Sequence, residues 1–162
     1  MATVDLTSGN AVMSAAAPHG KSPRLVEKII NFADAVTTKG SALASSDVFE
    51  VLDIPANTIV MGGGVEVITA MTGTSTDLTL DVGVTGGDVD NFVDGFDYDG
   101  ASVGDYSTAT LDAGWVFYSA ADTVDILTVT QTGTFTGGKL RVWALMWDVS
   151  GADAPGVAAP GS

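Results

Sequence analysis

The stretch TDLTLDVGVT constrains this chain more than any other. Leu78, Leu80, Val82 and Val84 fall on one face, and Thr79, Asp81 and Gly83 on the other. A two-residue period belongs to a pleated strand with one buried and one wet face, and a helix does not satisfy it. GVEVITAM repeats the alternation through Val65, Val67, Thr69 and Met71. RLVEKIINF, DVFEVLDI, TIVMGGGVEVITAM, DYSTATL, TVDILTVTQ and KLRVWALMWDV read as further strands, rich in β-branched residues that suit a pleated surface. Between the strands lie IPANT, GTST, TGG, DAG, SAAD and a second TGG, each with a residue that favours a tight bend. This spacing predicts an all-β fold: an antiparallel β-sandwich, jelly-roll-like, with Leu78, Leu80, Val82, Val65, Val67, Val124 and Ile126 in its core.

Two segments do not alternate cleanly. LVEKIINFADAV places Leu25, Ile29, Phe32 and Val36 at helical spacing, but its β-branched content makes strand the slightly better reading of residues 25–36. In KLRVWALMWDV, Trp143, Ala144, Leu145, Met146 and Trp147 are all apolar. A central strand covered on both faces has this pattern, and so does one whose outer face meets another subunit. The glycines at 62 to 64 read as a bulge or bend, since no helix follows them as a phosphate-binding loop would require. At the ends, residues 1–24 read as an extended N-terminal arm and 151–162 as an irregular Pro/Gly/Ala tail, leaving 25–150 for the sandwich.

Charge excludes several partners. The formal net charge is −14, and fifteen acidic residues lie between Lys39 and Lys139 with no basic residue among them. So acidic a body repels phosphate backbones and anionic lipid, so neither nucleic acid nor membrane is expected as a partner. No apolar run approaches the roughly 18 residues of a membrane span. MATVDLTSGNAVMSAAAPHGKSPR lacks the basic cluster and apolar block of a secretory signal. Scarce basic charge gathers at the root of the arm, in Lys21, Arg24 and Lys28, which are expected to contact a neighbouring subunit.

The residues of catalysis are hard to find. The single histidine, His19, sits in the irregular arm, where a general base would lack rigid support. There is no cysteine, and the one G-x-S-x-G match, GASVG at 100–104, lies in an Asp/Gly-rich turn stretch with no helix after it, so it is not a nucleophile elbow. Glu27, Glu50 and Glu66 each fall in a strand-like run where a solvent-facing position explains them. A non-enzymatic protein without a cofactor is expected.

DVDNFVDGFDYDGASVGD, residues 88–105, is the remaining chemical candidate. Asp88, Asp90, Asp94, Asp97, Asp99 and Asp105 could supply oxygens to calcium, yet no register fits the EF-hand pattern. Turn chemistry without an obligatory metal is the expectation. Phe92, Phe96, Tyr98 and nearby Tyr106 either pin the loop to the sandwich or mark a contact patch, and Phe92, Phe96 and Tyr98 are taken as candidate contacts.

VLDIPANTIV, STDLTLDVGVTGGDVDNFVDG and YSAADTVDILTVTQTGTFTGGKLRVWALMWDVS, in that order, resemble small virion structural proteins of tailed bacteriophages, notably from aquatic hosts. The likeness spans roughly residues 47–150, and its motifs recur in many β proteins. That family includes capsid decoration (cement) proteins and related head or tail components, and the resemblance implies no enzymatic activity, supplies no catalytic residues and leaves the place in the virion open. The expected role is a capsid decoration protein on the virion exterior, bound to the major capsid protein and homo-oligomeric (a trimer being one form). A head-fibre, tail or adhesion module that engages a host glycan through the acidic aromatic loop is the alternative.

Overall fold

The structure is a computed structural model, described here for residues 2–6, 22–84, 87–108 and 115–150. Its elements are β1 (Thr3–Asp5), β2 (Arg24–Asn31), α1 (Phe32–Lys39), β3 (Val48–Ile54), β4 (Thr58–Gly73) and β5 (Asp77–Gly83). After these come β6 (Val93–Asp97), β7 (Tyr106–Thr108), β8 (Val116–Tyr118), β9 (Asp122–Thr132) and β10 (Phe135–Asp148). Sheet 1 has the order β1-β3-β9-β5-β6, and sheet 2 the order β2-β10-β4-β7, with β8 also paired to β4.

Setting β1 and β8 aside leaves eight strands in two four-stranded sheets, β3-β9-β5-β6 over β2-β10-β4-β7. The first strand pairs with the last, and the chain passes repeatedly from sheet to sheet. This is the double Greek key of a jelly roll. All seven residues expected in the core are buried, and Phe32, Phe49, Phe92, Tyr98 and Phe135 join them without measurable exposure. Phe32 packs edge-on to Phe49 at 5.5 Å and tilted against Phe135 at 4.7 Å between ring centroids. Each such ring pair adds about 0.5–1.5 kcal/mol beyond the area it buries.

Residues 25–36 are neither one strand nor one helix. The chain is extended to Asn31, whose side-chain oxygen accepts the Ala33 N–H at 3.2 Å and so starts α1. Asp34 in the first turn and Lys39 in the last complement the helix dipole, and Gly40, at φ 73°, ends the helix. The second TGG is not a turn. Gly137 and Gly138 lie inside β10, where its register against β4 shifts, and the turn into β10 is made at Gly133.

Most of the expected arm falls outside the described residues, but its beginning lies on the body. β1 runs parallel to β3 in the register Thr3↔Val48, Val4↔Phe49 and Asp5↔Glu50, with Val4 buried. Asp47 secures it by accepting the Ala2 N–H at 3.2 Å and the Ala44 N–H at 2.9 Å while pairing with Lys39.

Candidate interaction surface

Side-chain alternation gives the two sheets opposite outer faces. In β10, Leu140, Val142, Ala144 and Met146 point into the core, which leaves Arg141, Trp143, Leu145 and Trp147 half-buried on the outside. The registers extend this outer face sideways. Leu145 lies between Leu25 and Gly62; Trp147 lies beside Ile59, which is followed by Phe117. Leu25 is 59% exposed, Ile29 49% and Phe117 54%, values far from those of a packed core. Of the second possibility that the sequence left open for KLRVWALMWDV, the uncovered outer face is what the structure has.

The three glycines build part of this face. The β4–β10 register skips Met61, so Gly62 borders the expected bulge. On the outer side, a Cβ at Gly64 would sit 2.9 Å from Cζ2 of Trp143, so the indole lies directly on the glycine backbone. A Cβ at Gly63 would meet Phe92 at 3.1 Å from inside the sandwich. Only the bulge was legible beforehand; the two ring contacts depend on partners more than twenty residues away.

A short charged row crosses the same face. Arg141 Nη1 donates to Glu66 Oε2 at 2.8 Å, and its Nε lies 3.8 Å from Glu27 Oε2. By strand membership, sheet 1 carries nine carboxylates (Asp5, Glu50, Asp53, Asp77, Asp81, Asp94, Asp97, Asp122, Asp125) and no basic residue. Sheet 2 carries four basic residues (Arg24, Lys28, Lys139, Arg141) and three acidic ones (Glu27, Glu66, Asp148). The formal totals are −9 and, from four minus three, +1. The sandwich is polarised, with an acidic sheet backing a nearly neutral, apolar one.

Within sheet 1 the carboxylates meet. Asp5 pairs with Glu50, and Glu50 with Asp125, across three neighbouring strands. Burial raises the Glu50 pKa, and the charges of Asp125, Asp5, Asp122 and Asp53 raise it further. Asp81, projecting from the wet side of TDLTLDVGVT, comes within 4.8 Å of Asp90 and Asp94. Burial lifts its pKa as well; the Gly95 N–H, donating to it at 2.8 Å, opposes the lift, and Asp90 and Asp94 add to it. Three carboxylates so placed could hold a hard cation. The sequence reading did not include Asp81, because only strand pairing brings it to the loop.

Two of the other loop aspartates, Asp97 and Asp105, serve turns, and Asp99 ties the loop to β5. Asp97 accepts the Gly100 N–H at 3.0 Å, Asp105 the Ser102 N–H at 2.7 Å, and Asp99 the Leu78 N–H. The contact assignments for Phe92 and Tyr98 need correction: both are fully buried in the chain's own core and pin the loop there. Phe96 is half-buried and stacks on Tyr98 at 6.4 Å. Tyr98 reaches across the sandwich into sheet 2, where its hydroxyl donates to the Thr69 carbonyl at 2.7 Å and the Lys139 N–H points at the phenolic oxygen. Burial pushes this phenol far above its ordinary pKa, against the opposing pull of that N–H. Thr69 and Lys139 are partners at the point where the β4–β10 register shifts, so the hydroxyl fills a gap in the ladder.

Of the basic contact candidates, Lys21 lies outside the described residues and Arg24 is half-buried at the start of β2. Lys28 turns inward at the sandwich edge; burial lowers its pKa, and Asp53 and Asp5 act to raise it. His19 also lies outside the described residues.

The chain is similar to two solved capsid chains. One comes from the structure described as "Cyanophage Pam1 capsid asymmetric unit", with 22% identity and TM-score 0.58 over 82% of this chain and 91% of that one. The other comes from "Capsid of Ralstonia phage GP4", with 15% identity and TM-score 0.57 over 91% of this chain and 97% of that one. No protein-family model and no curated protein matches this chain. At these identities what is shared is the fold, and it is shared over nearly the whole of each chain.

Proposed function

We propose that this chain is a non-enzymatic virion structural protein: a capsid decoration, or cement, protein that binds the major capsid protein on the shell's exterior and acts as a homo-oligomer, for instance a trimer. The observation that carries the reading is the polarised sandwich. A uniformly solvated protein has no use for Leu25, Ile29 and Phe117 exposed on one neutral sheet, whereas a protein built for assembly does. The exposed carboxylates of sheet 1 (Asp5, Asp53, Asp77, Asp94, Asp97 and Asp122) then face solvent, where like charge keeps a crowded particle surface soluble. The likeness to chains from two phage capsids supports the reading. A glycan-binding module would set exposed aromatics among hydrogen-bonding side chains; here Trp147 lies beside Ile59, in a row with Phe117, instead.

Residues 1–24 serve in this reading as the arm that docks on neighbouring capsid proteins, with β1 as its anchored beginning. Mass-spectrometric quantification of purified virions should find the chain at a copy number matching the capsid lattice, and its absence from virions would refute the proposal. Deletion of residues 2–20 should leave a soluble folded body that no longer occupies capsids. Val4→Ala, which loosens β1 while keeping the arm, separates the two roles. Full occupancy by the deletion variant would rule out the arm.

A further inference from the structure

We infer that the outer face of sheet 2 is where the chain meets a second copy of itself. The inference deepens the assembly role proposed above by naming the occupant of its apolar face. Of the seven large hydrophobic residues left exposed among the described residues, Leu25, Ile29, Tyr106 and Phe117 lie on strands of sheet 2, and Trp115 immediately precedes one. Only Val129 lies on a strand of sheet 1.

Charge selects the partner. Two chains of −14 repel each other wherever their carboxylates meet, and the sheet 1 faces, at −9 each, repel most. On the outer face of sheet 2 Lys139 and Arg141 balance Glu27 and Glu66, so two copies approach through it with the least repulsion. Its charged row reads Glu27, Arg141, Glu66, with one cation between two anions. A two-fold axis passing between Arg141 and Glu66 staggers the row by one place, so that each arginine lies opposite the partner's Glu66 and the contact forms twice.

The relief is self-complementary too. Trp143 covers Gly64 on this face, while the space above Gly62, beside Leu145, is open: a Cβ there would meet nothing within 4 Å. Indole and notch are neighbours on one surface, and in a symmetric pair each indole finds the other copy's notch. Apolar sheet faces pack aligned at about 10 Å.

Sedimentation velocity on the full chain tests the inference. The wild type should self-associate, and Leu25→Glu with Phe117→Glu should weaken association at least about tenfold, which corresponds to about 1.4 kcal/mol. Val129→Glu, at an exposed site on sheet 1, should leave association unchanged. Should the glutamate variants fail to fold, thiol protection answers the same question, because the chain has no cysteine of its own. A Leu25→Cys thiol should become at least about tenfold slower to alkylate as concentration rises, and a Val129→Cys thiol should not. Concentration-independent alkylation at both positions, or equal weakening by Val129→Glu, overturns the inference. Capsid occupancy of the same variants separates it from the virion reading. A chain that stays monomeric yet loses capsids on Leu25→Glu gives the face to the shell and overturns only the second-copy assignment. Association lost with the glutamate variants, in a chain that never binds capsids, upholds that assignment and overturns the virion role.

Discussion

Tyr98→Phe removes a single oxygen and should cost far more than its size suggests. That oxygen receives the Lys139 N–H and donates to the Thr69 carbonyl at 2.7 Å, both at a break in the β4–β10 ladder. The ring itself is fully buried against Phe32 and Phe135 and stays in place in the variant. Two main-chain groups are then left without a partner in the sandwich interior. A buried group so orphaned costs about 1–3 kcal/mol, so the pair should cost about 2–4 kcal/mol after partial relaxation. In a domain of this length each kcal/mol lowers Tm by about 2–4 °C, which gives a fall of roughly 5–15 °C. Urea unfolding should show the midpoint shifted with m unchanged, since the folded state buries the same surface. Gly138→Ala attacks the same joint from the other side: its Cβ would lie 2.2 Å from the hydroxyl, at φ +126°. A loss below about 0.5 kcal/mol for Tyr98→Phe, the size of an ordinary surface change, would show that the hydroxyl does not complete the ladder.

Three further outcomes are expected. Gly64→Ala should destabilise by about 1–3 kcal/mol, since its methyl collides with Trp143 and the Ser107 carbonyl, while Gly62→Ala, with open space above it, should be neutral or slightly stabilising; equal effects in thermal melts would refute this account of the glycines. The folded chain holds protons on Glu50 and Asp81 at a pH where the unfolded chain has released them, so Tm should rise as pH falls from neutrality through that window and decline again as it climbs. Asp47 works in the opposite sense: burial raises its pKa, but Lys39 and the Ala44 and Ala2 N–H groups pull it lower overall, so its contribution is lost when strong acid protonates it. Glu50→Gln should add about 0.2–1 kcal/mol at neutral pH and flatten the rise, and a destabilised variant would contradict the row of like charges. Chelator should leave Tm unchanged if the 88–105 loop stands on its aromatics alone; a sharp fall would assign a cation to Asp81, Asp90 and Asp94.

The parts of this fold legible in the sequence are those that depend on near neighbours along the chain. Alternation in TDLTLDVGVT and GVEVITAM placed Leu78, Leu80, Val65 and Val67 in the core, because burial on one pleated face follows from a period of two. The boundary at Asn31 was also written locally, in the cap residue, Asp34, Lys39 and Gly40, but β-branched content on either side masked it. Strand β6 was hidden among aspartates and glycines that suit turns equally well. What could not be read is register. Asp5 beside Glu50 beside Asp125, Trp143 over Gly64, and Asp81 with Asp90 and Asp94 each join residues that no local pattern links. The aromatics of the loop show the same limit: composition allowed contact or anchoring, and the zero exposure of Phe92 and Tyr98 decides for anchoring.

The order of synthesis acquires a meaning from the position of β10. It is the last strand among the described residues, and it lies between β2 and β4. Until residues 135–148 have left the ribosome, β2 and β4 have no common neighbour and sheet 2 has no centre. Pairings this distant close the largest loops and fold slowly. The nascent chain must therefore carry the apolar strands of sheet 2 unclosed until β10 emerges, a period when aggregation threatens it. Its many carboxylates, placed between the first strand and the last, act during that interval as a charged solvating sleeve for a chain that cannot yet close.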